Sequence, residues 1–106
     1  MKNEPDTRVS PALDLRVAER LAEIFSALSD PSRIRIISAM TEGELSVGVL
    51  AETVEMSESA VSHHLRLLRQ LRLVRGRKEG RQVFYTLDDE HIADIFLRGL
   101  DHVLHS

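Results

Sequence analysis

The stretch SESAVSHHLRLLRQL, residues 57–71, decides how the rest of the chain is read. Ala60, Val61, Leu65, Leu68 and Leu71 recur at helical spacing, which predicts an amphipathic helix with its apolar stripe turned to a core. Ser57 stands where an N-cap belongs, and Glu58 and Ser59 suit the first turn, although Ala60 leaves the capping box incomplete. The start of the helix is small and polar, so it can approach the edges of bases closely. Ser59, Ser62 and His63 are candidates for hydrogen bonds to bases. Ser57 and Ser59 can place backbone amides at a phosphate, and Arg66 and Arg69 can reach the nucleic-acid backbone behind them. A capping serine followed by an ordinary solvated face is the plainer reading of the same residues. His64 fits that plainer reading, as a packed or solvated side chain.

Working outward, Leu45 to Val54 reads as a short helix capped by Ser46, with Val49, Leu50 and Val54 apolar. Glu55-Met56-Ser57 leaves room only for a turn, so the two helices form a helix-turn-helix candidate. After Leu73 the period changes. Glu79-Gly80 is a turn signal and Gln82 to Leu87 is rich in β-formers, so a hairpin, or wing, follows the helix. Its Arg75, Arg77, Lys78 and Arg81 are expected to meet phosphates or a narrow minor groove, giving affinity more than sequence choice. Farther out, Leu13 to Leu28 has helical spacing. Asp30-Pro31 starts a second helix that is expected to end near Gly43. A last helix runs from about Asp89 to Leu104. The expected order is α-α-α-α-β-β-α, a mainly helical winged helix with a small hairpin. Residues 1–12, polar and with two prolines, are expected to be a flexible arm, and residues 13–106 the DNA-binding and dimerisation domain. The first and last helices have more apolar positions than one small domain needs, and they are the expected homodimer surface.

A length of 106 residues fits one domain with a modest core. The net charge of −3 argues against nucleic acid until its distribution is considered. Arg66, Arg69, Arg72, Arg75, Arg77, Lys78 and Arg81 cluster in one stretch opposed only by Glu79, and a local basic patch can face phosphates on an acidic chain. Charge alone serves a solvated helix and hairpin equally well. No window approaches the ~20 apolar residues of a membrane span, and no secretory leader is evident, so a cytoplasmic protein is expected. The chain has no cysteine, which excludes disulfides and thiolate metal sites.

Three segments together resemble the ArsR/SmtB family of winged-helix repressors: Phe25 to Ile36 (FSALSDPSRIRI), Ser59 to Leu65 (SAVSHHL) and Gly80 to Leu87 (GRQVFYTL). The likeness extends over roughly Leu15 to His105. It implies a homodimer that represses a metal-resistance or stress operon from an operator with an imperfect inverted repeat, and lets go when an inducer binds. Cysteine-based inducer sites of the family are impossible here. What the resemblance leaves is the zinc- and cobalt-responsive site on the last helix, an Asp-x-His near its start and a His-x-x-His near its end. Asp89-Glu90-His91 and His102-Val103-Leu104-His105 match that pattern. His102 and His105 share one helix face, whereas Asp89 lies thirteen residues before His102, roughly 20 Å along a helix. Zinc bonds are ~2 Å long, so one straight helix cannot close the set and an antiparallel partner helix can. Two-fold symmetry then gives two interchain sites per dimer.

One carboxylate with three imidazoles suits Zn²⁺, with Co²⁺ as its mimic. Nickel usually wants more ligands, and the N-terminal arm offers no histidine. In similar zinc sensors the histidine matching His102 also bonds a backbone carbonyl after the reading helix, here that of Arg72. A winged-helix repressor answering to nickel or to a non-metal signal is the alternative. An enzyme is not expected, because four ligands leave no open metal position and no nucleophile motif or Gly-rich phosphate loop is present. No small organic cofactor is expected.

Overall fold

Five side chains punctuate the fold, each taking up an amide that a helix start leaves unpaired. The computed structural model describes residues 12–106, so the expected N-terminal arm lies almost wholly outside the described residues. Asp14 accepts from the amides of Arg16 and Val17 and opens α1, Leu15–Ala27. Asp30 accepts from Arg33 N, and with Pro31 in the first turn it opens α2, Pro31–Ala39. Ser46 accepts from Val49 N at 3.2 Å at the head of α3, Val47–Val54. Ser57 accepts from Ala60 N at 3.1 Å at the head of α4, Glu58–Gln70. Strands β2, Val74–Glu79, and β3, Gln82–Leu87, make the wing, and α5, Glu90–His105, follows with Asp89 as its N-cap.

Two details depart from the expected order. A two-residue strand, β1 (Leu45–Ser46), precedes α3 and pairs antiparallel with β3, so the sheet has three strands in the order β1-β3-β2. Helix α2 stops at Ala39 and not near Gly43, because Met40, Thr41 and Gly43 donate to carbonyls only three residues back, in tightening turns.

The core is built from α2, α3 and α4 and closed by the base of the wing. Ile36, Ile37, Leu50, Val61, Leu65 and Leu68 are completely buried, with Leu73 and Val74 beside them. Between α3 and α4 the chain turns through Glu55 in the left-handed region (φ 57°), and Met56 N donates to Ala51 O at 3.0 Å. That is a helix-ending motif usually filled by glycine. Helices α1 and α5 bury Ala27 and Ile92 in this core, with Ile24 and Phe96 packed partly against it. Many of their apolar residues remain uncovered, among them Val17, Leu21 and Phe25 on α1 and Ile95, Leu97, Leu100, Val103 and Leu104 on α5. Among the described residues no helix is long and apolar enough to cross a membrane.

Candidate nucleic-acid interface and metal-ligating face

Burying Val61, Leu65 and Leu68 fixes which side of α4 looks outward. Ser57, Ser59, Ser62, His63, Arg66 and Arg69 are all exposed on it. The cap bond of Ser57 orients its hydroxyl along the helix start, where amides and the helix dipole favour an anion. His64 is partly buried. Its ring meets that of His63 edge-on at 6.1 Å, and its Nδ1 is buried with no hydrogen-bond partner among the described residues.

The wing divides its basic residues into two kinds. Arg75, Lys78 and Arg81 are exposed and make no side-chain hydrogen bond or ion pair among the described residues. Arg77 is held. Its Nε donates to Glu44 Oε2 at 3.0 Å, Nη2 to Glu44 Oε1 at 2.7 Å and Nη1 to Glu79 Oε1 at 3.2 Å. The guanidinium lies 5.0 Å from the centre of the Phe84 ring. These hydrogen bonds, the Arg77–Glu44 bond first, hold the Glu44 carboxyl below its ordinary 4.5 and push the Arg77 guanidinium pKa up. Sequence reading did not select Glu44. It stands 33 residues from Arg77, and no local pattern signals the pair.

On α5 the four metal-candidate residues sit at the two ends of one helix. The Asp89 carboxylate caps through Oδ1, accepting from His91 N at 2.8 Å and Ile92 N at 3.4 Å. The His91 ring nitrogen Nδ1 also lies 3.4 Å from Oδ1. His105 Nδ1 lies 2.9 Å from the Asp101 carboxylate and 3.1 Å from the Asp101 carbonyl, which leaves Nε2 as the outward donor atom. His91, His102 and His105 are exposed, and at 3.6 residues per turn they fall within about 60° of one another on a single face. They do not converge within the chain. Among the described residues no group of three or more His, Asp or Glu side chains could hold a metal ion. Carboxylate and imidazole are donor types that a borderline divalent ion accepts, and the α5 of one chain keeps these donors at its two ends.

A groove of about 460 Å³ between α1, α2 and α5, lined by Phe25, Leu28, Ile37, Phe96, Leu100 and Val103 among others, is almost wholly apolar. It adjoins the uncovered apolar residues of both helices.

Comparison with known proteins bears on these surfaces. A family model described as "Bacterial regulatory protein, arsR family" matches residues 30–75. A transcriptional repressor SmtB homolog of Synechocystis is 48% identical over 89% of this chain and 71% of its own length. The HTH-type transcriptional regulator NmtR of Mycobacterium tuberculosis is 41% identical over 96% of this chain and 85% of its own. A solution structure of apo-NmtR superposes with a TM-score of 0.76 over 99% of this chain and 88% of that one, at 40% identity. A cadmium resistance transcriptional regulatory protein CadC homolog of Staphylococcus aureus is 43% identical over 77% of this chain and 69% of its own length.

Proposed function

The chain belongs to the arsR family of bacterial regulatory proteins, a winged-helix DNA-binding transcriptional regulator and not an enzyme, and on that premise we propose that it is a homodimeric, metal-responsive repressor. Residues 13–106 act as the DNA-binding and dimerisation unit in the cytoplasm, and residues 1–12 as its arm. Each protomer presents Ser57, Ser59, Ser62 and His63 to bases and phosphates in a major groove, with Arg66, Arg69, Arg75, Lys78 and Arg81 on the backbone. Two such helices related by a two-fold axis read an imperfect inverted repeat.

The observation behind the inducer half of this reading is the placement of ligands on α5. Asp89 and His91 of one protomer complete a four-donor set with His102 and His105 of the other, twice per dimer, and Zn²⁺ or Co²⁺ fits that set. The uncovered apolar residues of α1 and α5 give the partner its seat. The names of the relatives support a metal as the signal, since one is a cadmium-resistance regulator and another an SmtB homolog. The ion, when bound, supplies a fixed link between two helices and no reaction.

The chain's own residues transmit the change. Arg72, two residues past the end of α4, lies in the left-handed region (φ 60°), its amide donates to Arg69 O, and its carbonyl accepts no backbone hydrogen bond among the described residues. That carbonyl is the proposed acceptor for the second ring nitrogen of His102, which orients the imidazole and ties α5 to the end of the reading helix. Fixing α5 then holds the two reading helices at a spacing unfit for successive grooves. By linkage, DNA weakens metal binding by the same factor that metal weakens DNA binding. The test is a titration of the purified protein on DNA from upstream of its own gene, with and without Zn²⁺. Release by zinc, and none for His102→Ala, is expected. Zinc-independent binding would leave a winged-helix regulator that answers to another signal.

A further inference from the structure

We propose that Arg77 is a positioning residue that straps the wing to the helix-turn-helix, and that Glu44 is its anchor. This rests on the reading of the wing as a DNA-contacting element. It reassigns Arg77, whose place in a basic hairpin suggests a phosphate contact.

Arg77 on β2 is the cross-strand partner of Phe84 on β3, and Phe84 in turn pairs with Ser46 on β1. Glu44 immediately precedes β1. The Arg77 side chain therefore runs from one edge of the sheet over the ring of Phe84, on the middle strand, to the chain just ahead of the other edge. It ends there in a two-pronged bond to one carboxylate, the geometry for which a guanidinium is best shaped. Glu79 takes the remaining arm. Two carboxylates around one guanidinium leave this point of the wing without the positive charge a phosphate would seek.

What the strap holds is the important part. Directly after Glu44, Leu45 and Ser46 pair with β3, and Ser46 caps α3, the first helix of the helix-turn-helix. The strap thus references the wing to the frame that carries α4. Arg75, Lys78 and Arg81, which make no side-chain hydrogen bond or close ion pair among the described residues, stay at a set distance from the reading helix. The Arg77 and Glu44 side chains are 51% and 34% exposed, so the pair is of the kind worth at most a few-fold in an equilibrium.

The experiment measures binding to a random-sequence duplex over a range of salt for wild type, Glu44→Ala, Arg77→Ala, the double variant and Lys78→Ala. Removing an acidic side chain ordinarily tightens DNA binding. Here Glu44→Ala should weaken it, by about two- to fivefold. Arg77→Ala should weaken it similarly with an unchanged salt slope, and the double variant should match either single one. Lys78→Ala should shift the slope by about 0.9, as loss of a phosphate contact does. In the free protein, amides of β2 and β3 should exchange faster in Glu44→Ala than in wild type. Tighter binding by Glu44→Ala, a slope change of about 0.9 in Arg77→Ala, or unchanged exchange in the wing would overturn the strap. If Lys78→Ala also leaves binding untouched, the wing is not a DNA element, and the reading it rests on fails with it.

Discussion

Helices α4 and α5 are built alike and end up differently. Both are amphipathic, of 13 and 16 residues, and both start on a side-chain cap, Ser57 and Asp89. Helix α4 buries Val61, Leu65 and Leu68 to zero exposure, whereas α5 buries Ile92 alone and leaves Ile95, Leu97, Leu100, Val103 and Leu104 in the open. The apolar stripe of α4 is satisfied within its own chain, which leaves its polar face turned outward. The apolar stripe of α5 is only begun by its own chain, and its candidate ligands stand at opposite ends of the helix. One region is a finished surface, and the other is half of one.

The largest effect should come from denying α5 its second half. Leu100→Asp places a charge on an already exposed residue, so the single chain should still fold, while the dimer should dissociate. Operator affinity should fall by on the order of a hundredfold or more, because two linked contacts become one. Sedimentation and DNA titration together check this. A dimer that survives the change would move the interface elsewhere.

A smaller effect is expected on the finished surface. Ser62→Ala or His63→Ala should lower the ratio of operator to random-DNA affinity by about tenfold, the typical worth of one base contact, without affecting assembly. An unchanged ratio for both would remove these residues from base reading. The smallest effect probes the hinge of that surface. Glu55 pays a conformational cost in the left-handed region, which Glu55→Gly should relieve by about 1 kcal/mol, raising the melting temperature by several degrees. A lower melting temperature would mean that the Glu55 side chain contributes more than its backbone strain costs.

Acid offers a further contrast. The Glu44 carboxyl is held below its ordinary 4.5, so its contribution is present above that value and is lost as the pH falls through the lower folded-state value. Wing-amide protection in wild type should drop in that range and should not drop further there in Glu44→Ala. The same acid dependence in the variant would assign the loss to another group.

Local signals made most of the finished half legible. Asp30-Pro31, Ser46 and Ser57 cap the helices they were expected to cap, and Gly80 turns the hairpin, because caps and turns are decided by a few neighbouring residues. Strand β1 was not legible, since two residues carry no period and their pairing partner, β3, lies some forty positions on. The occupation of Arg77 by Glu44 was hidden for the same reason. On α5 the spacing of Asp89, His91, His102 and His105 already separated the set into two ends of a helix. The structure adds that Asp89 caps through one oxygen and that Asp101 holds Nδ1 of His105. What another protomer contributes is not written in the contacts of one chain.

The central claim, that the two halves of the metal set meet across a dimer, is tested most directly by mixing two defective chains. One carries Asp89→Ala and His91→Ala, the other His102→Ala and His105→Ala. Each variant homodimer should lack a complete site. The mixed dimer should regain one of the two, with tetrahedral Co²⁺ absorption at half the wild-type stoichiometry. A silent mixed dimer, or a monomeric form such as Leu100→Asp that binds Co²⁺ as well as the wild-type dimer does, would contradict the shared site.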